Sequence, residues 1–129
     1  MNNTNLPKIE STLHFQGLIH HQVFSSEELH SVAQFSNTLA LFQSYMKCNR
    51  TFEQYSRATR REEKVSKYIS NVICIGMISC SEATEGWVAC VKEQQGECGK
   101  FKRQLERCIR CSTEQAFKST QLDVFVNEK

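Results

Sequence analysis

Seven cysteines in a chain of 129 residues are where any chemistry would reside. Thiols at regular spacing pair as disulfides, hold a metal or exchange electrons. Four of them, Cys80, Cys90, Cys98 and Cys108, form two tandem units with nine residues between the cysteines of each. Cys108-Ile109-Arg110-Cys111 has the C-x2-C spacing of redox and zinc sites, but Cys108 already belongs to the tandem pattern. No second C-x2-C and no nearby His completes a four-ligand zinc shell. His14, His20, His21 and His30 lie far upstream, and the adjoining His20 and His21 have no carboxylate or cysteine at ligand spacing. No Gly-rich phosphate loop and no nucleophile–base arrangement is present. The sequence thus points to no catalytic residue, no metal and no cofactor. It reads as a structural protein rather than an enzyme.

The tandem units demand particular elements. A step of ten residues is a heptad plus three, which carries an a position to a d position on a helix seam. One helix then presents Ile73, Gly76, Cys80, Ala83, Trp87 and Cys90, and a second presents Cys98, Phe101, Leu105, Cys108 and Ser112. Folded antiparallel about residues 91–97, they face each other as Cys90/Cys98, Trp87/Phe101, Ala83/Leu105 and Cys80/Cys108. A disulfide closes each end of a core made by Ala83, Trp87, Phe101 and Leu105. Gly96 suits the left-handed position just past a helix end. Spacing, layers and turn agree on one hairpin.

This pattern resembles the twin C-x9-C signature of the coiled-coil-helix–coiled-coil-helix family, over residues 73–118. The resemblance implies the pairs Cys80–Cys108 and Cys90–Cys98. It also implies folding in the mitochondrial intermembrane space, where an oxidoreductase relay traps the incoming chain by forming its disulfides. Trp87 with Cys90, or Phe101 and Leu105 with Cys98, resembles the apolar face that the relay reads. Copper-carrying members would show adjacent cysteines ahead of the hairpin, and this chain has none. The implied role is an accessory subunit of a respiratory-chain complex, complex I first among them, peripheral on the inner membrane. The alternatives are a mitochondrial ribosomal subunit or a soluble assembly, redox or metal-carrier factor.

Composition fits this picture. The cysteine density suggests an oxidising compartment. One proline and five glycines disfavour a turn-rich β fold, so the expected class is all-α. The first twenty-five residues hold one basic residue, Lys8, and one acidic residue, Glu10, unlike an Arg-rich presequence. Residues 69–78 are about half the roughly 20 apolar residues that a membrane span needs. Asn2-Asn3-Thr4 and Asn49-Arg50-Thr51 fit the N-glycosylation triplet, but no signal peptide supports them.

Residues 1–24 are polar and aperiodic, and read as an extended arm. Residues 25–71 read as a helical extension. Ser25 or Ser26 caps a first helix with Leu29, Val32, Phe35, Leu39, Phe42 and Met46 on one face. A second helix begins near Thr51, carries Phe52, Tyr55, Val65, Tyr68, Ile69 and Val72, and runs into the hairpin or bends near Asn71. The hairpin occupies 72–118, and 119–129 form an extended tail. Cys48, Cys74 and Cys111 remain, and an odd number leaves at least one unpaired. Cys111 falls level with Met77, and Cys74 points away from the seam. Cys48 pairs with Cys74 if an N-terminal helix packs on the outside of the hairpin. The alternative is three reduced thiols acting as small hydrophobes.

A net charge of +2 implies no global attraction to nucleic acid. Basic residues nonetheless cluster at Lys100, Lys102, Arg103, Arg107 and Arg110, and again at Arg57, Arg60, Arg61, Lys64 and Lys67. These faces suit acidic subunits or anionic lipid headgroups. A base-stacking RNA surface would need exposed aromatics, and Phe101 is assigned to the core. Phe35, Phe42, Phe52 and Tyr55 are the expected anchors for protein partners, because a small hairpin buries little core of its own.

Overall fold

The computed structural model describes residues 6–21, 45–93 and 97–120, the last four of these as backbone only. The described residues are helical with no strand. We number the helices α1 (Glu10–His20), α2 (Asn49–Arg57), α3 (Arg61–Ser79), α4 (Ser81–Glu93) and α5 (Gly99–Thr120). The all-α class and the disulfide-pinned hairpin expected from the sequence are both present.

Two antiparallel hairpins stand in tandem. The first is α2 against α3. Ala58 and Arg60 are extended at ψ 130° and ψ 138°, which reverses the chain between them. Glu62 and Glu63 then occupy the first turn of α3, where carboxylates complement the helix dipole. Across this hairpin the Thr51 hydroxyl donates to Asn71 Oδ1 at 2.9 Å, and the Tyr55 and Tyr68 rings lie 5.5 Å apart, edge to face. The second hairpin is α4 against α5, the pair that the tandem cysteines predict.

The junction of the two hairpins lies at Cys80. The sequence reading carries one helix through Cys80, or bends it near Asn71. In the structure α3 stops at Cys80, which has φ −146° and ψ 55°, and α4 starts at the next residue. The Cys80 carbonyl accepts both the Thr84 backbone N–H at 2.9 Å and the Thr84 hydroxyl at 2.8 Å, which anchors the new helix. Gly76 permits the tight bend. A Cβ there would lie 2.2 Å from Thr84 Oγ1. Asn71, far from marking a bend, is fully buried inside α3.

The expected extended arm is the main departure, because residues 10–20 form α1. It packs on α2 and α5 and buries Thr12, Phe15, Gln16 and Ile19 at helical spacing. Two of those four are polar, so the stripe has no apolar periodicity to read. Hydrogen bonds compensate for their burial. Gln16 and Asn71 exchange a reciprocal pair at 2.9 and 2.8 Å. Thr113 donates its hydroxyl to the Ile109 carbonyl and sits 2.6 Å from the Thr12 hydroxyl and 2.7 Å from that of Tyr45. One donor and two lone pairs are thereby all used.

A single cluster forms the centre. Phe15, Tyr45, Val72, Ile75, Trp87, Leu105 and Ile109 are buried in it, drawn from every layer. The chain therefore builds more core than a bare hairpin would, because α1 and the first hairpin cover the second. The expected helix over 25–46 falls mostly on 22–44, outside the described residues, as do the tail beyond 120 and Gly96.

Candidate functional site

Three disulfides organise the molecule. Cys80–Cys108 and Cys90–Cys98 tie α4 to α5, with Cα separations of 6.1 and 5.8 Å. Cys48–Cys74 ties the start of the first hairpin to the far part of α3, at 5.9 Å. These distances are ordinary for the bond. The third bridge answers the question left open for Cys48 and Cys74. The helix that packs against α3 is α2, and its antiparallel course brings Cys48 level with Cys74. Cys111 is the one free cysteine and is exposed. The C-x2-C pair is thus split between a bridge and a surface thiol. Among the described residues no group of His, Cys, Asp or Glu has the geometry to hold a metal.

The hairpin core departs in part from the expected layers. Trp87 is 2% exposed and Leu105 is fully buried, but Ala83 is only half-buried and Phe101 is 36% exposed. The buried face of α4 is Thr84, Trp87 and Cys90, so Thr84 stands where Ala83 was expected. Gly86, not Trp87, then lies under Phe101: a Cβ on Gly86 would come within 3.0 Å of the ring. Phe101 caps the hairpin from outside, and Trp87 turns into the central cluster.

The expected partner anchors divide. Phe52 is buried, with the His20 ring 5.7 Å from its own and Gly17 close above it. Helix α1 has taken the place that a partner was expected to fill. Tyr55 is half-buried against Tyr68, with Lys64 Nζ 4.8 Å from its ring centroid. Phe35 and Phe42 lie outside the described residues. Asn49, the first residue of the second triplet, is half-buried, with its Oδ1 enclosed.

The basic residues of α5 do form a surface. Lys100, Arg103, Arg107 and Arg110 are exposed at spacings of three and four, one stripe along the helix, with Lys102 half-buried beside it. A second basic surface covers α2 and α3. There Arg57 is partly satisfied by Glu53 at 2.7 Å, an exposed i,i+4 pair that adds little stability.

Sequence reasoning missed the polar core of Thr12, Gln16, Tyr45, Asn71 and Thr113. Only the helical spacing of the first two, read without regard to polarity, would have shown it. Burial pushes the Tyr45 phenol up to about 12, against hydrogen bonds from Thr113 and Thr12. Burial also raises Tyr68, opposed by the Ile9 N–H. Tyr68 donates to the Pro7 carbonyl at 2.5 Å and accepts from Ile9 at 3.3 Å, which pins residues 7–9 to α3. None of the described helices is long and apolar enough to cross a membrane. No family model matches the chain, and no significant likeness to a curated protein or a solved structure is found.

Proposed function

We propose that this chain is a twin C-x9-C protein of the coiled-coil-helix–coiled-coil-helix type, serving as a structural accessory subunit of a mitochondrial respiratory-chain complex. Complex I is the first host to test, at its intermembrane-space face. The observation that carries this reading is the pairing of Cys80 with Cys108 and Cys90 with Cys98 across α4 and α5. Two bridges at that spacing make a clip whose shape does not depend on a large core. The exposed Arg and Lys stripe of α5 and the exposed Met46, Met77 and Ile78 offer polar and apolar contact to neighbouring subunits.

Native size is the test. The source membranes are solubilised in mild detergent, complexes are separated on a native gradient, and this chain is followed by mass spectrometry. Co-migration with NADH dehydrogenase activity or another respiratory complex is expected. A small free pool would overturn the subunit reading and favour an assembly or carrier role.

One observation favours a second reading, a ribosomal subunit. Phe101, exposed beside Lys100 and Arg103, supplies the aromatic that a base-stacking surface needs. On that reading the chain co-migrates with ribosomal RNA, and Phe101→Ala together with Arg103→Gln and Arg107→Gln releases it. Unchanged association of that variant would exclude RNA contact through α5.

A further inference from the structure

An open groove of about 310 Å³ lies between residues 6–8, the end of α2 and the first half of α3. That volume is at the lower end of small-molecule sites. Its apolar wall is Leu6, Pro7, Tyr55, Val65 and Tyr68. Its remaining lining residues are Lys8, Arg61 and Lys64, all exposed; no carboxylate is among them, and the Glu106 carboxylate stands beyond them, accepting from the Lys8 backbone N–H at 2.7 Å. The wall is rigid. Tyr68 is bonded to both Pro7 and Ile9, and Tyr55 is held between the Tyr68 ring and the Lys64 ammonium.

We propose that this groove binds an anionic phospholipid, its phosphate among Lys8, Arg61 and Lys64 and the root of one acyl chain along Tyr55, Val65 and Tyr68. Three cations and an apolar lining in one groove complement an amphiphile that is negative at one end. A bilayer is favoured over a lone metabolite by what flanks the groove. The exposed Arg50 and Arg60, with the half-buried Lys67, extend the positive surface past its edge. Across residues 49–67 six basic side chains stand against Glu53, Glu62 and Glu63. Such a surface is attracted to an anionic leaflet. This site is separate from the α5 stripe, and it does not rest on the subunit reading.

The test uses the oxidised full chain, free of any host. Flotation is measured with vesicles of phosphatidylcholine alone and with vesicles of phosphatidylcholine and phosphatidylglycerol in equal parts. Binding only to the second is expected, and Arg61→Gln with Lys64→Gln should weaken it about thirtyfold. Soluble dioctanoyl phosphatidylglycerol should shift the NMR signals of the Val65 methyls and the Tyr55 and Tyr68 rings. Val65→Ser should weaken that lipid while leaving disulfide mapping unchanged. Three results would each overturn the proposal. Inorganic phosphate binding as tightly as the lipid leaves an anion site without an apolar part. Flotation of the Arg61/Lys64 variant like the wild type, with loss of flotation in Arg103→Gln with Arg107→Gln, moves the contact to α5. Binding to neither vesicle assigns the groove to another partner.

Discussion

Gly76 and Tyr45 carry more structural consequence than their types suggest. A methyl at position 76 would meet Thr84 Oγ1 at 2.2 Å and its carbons at 3.2 Å. Gly76→Ala should therefore destabilise the protein by about 1–3 kcal/mol, the range for forcing atoms into a packed site. Thr84→Ala in the same chain should recover part of that loss. Denaturant unfolding of the two variants checks this, and equal stability of both would remove Gly76 from the account of the bend. Tyr45 makes a pH prediction. Its folded pKa of about 12 lies above the ordinary 10.0. Below pH 10 the phenol is neutral in both states and its contribution is complete. As pH rises through 10 and past 12 the unfolded chain ionises first, so stability falls, by about 3 kcal/mol in all. Tyr45→Phe should flatten that alkaline decline, at a cost near neutrality of about 1 kcal/mol for the lost hydroxyl contact to Thr113. Unfolding free energy measured from pH 8 to 12 compares the two chains.

At the scale of elements, the Cys48–Cys74 bridge closes a separation of 26 residues around the first hairpin. Cys48→Ser with Cys74→Ser should cost roughly 3–4 kcal/mol by loop-closure entropy. Peptide mapping should still show both bridges of the second hairpin, and denaturant unfolding supplies the magnitude. The second hairpin was legible because its four cysteines lie at fixed spacing on two helices whose seam follows from heptad geometry. The first was not. Its reversal at 58–60 contains neither Gly nor Pro, and its bridge depends on where α2 lands on α3, which no local pattern states. Helix α1 hid for another reason. Its buried face includes Thr12 and Gln16, which are satisfied by Thr113 and Asn71 from distant sequence, so hydropathy sees no stripe. Phe101 was misplaced because Gly86, with no side chain of its own, takes the position beneath its ring while Trp87 turns into the central cluster. Phe52 was assigned to a partner because the helix that covers it was read as an arm.

As a whole molecule, the oxidised chain holds six cysteines in bridges and presents Cys111 alone. Alkylation of the native protein should add one adduct, at Cys111, and full reduction should expose all seven thiols. Mass spectrometry of the labelled chain reads this directly. Three native adducts would show that Cys48–Cys74 is open, and would return the first hairpin to a pair of helices held by packing alone. The candidate site was legible to a lesser degree than the fold. The basic runs were visible in the sequence, but the groove at Tyr55 and Tyr68 exists only because residues 6–8 return to cover α3.

The order of the bridges along the chain has a mechanical consequence. Cys48–Cys74 ends before Cys80–Cys108 begins, and Cys90–Cys98 lies wholly inside the latter. A pull on the two ends of the chain therefore runs through two sulfur–sulfur links joined by residues 74–80. The loops that those links close, 26 and 28 residues in separation, stay slack and keep their helices. The last turn of α3, between Cys74 and Cys80, is the covalent path from one hairpin to the other. In a machine that flexes, that short segment is the tether, and the two hairpins are its knots.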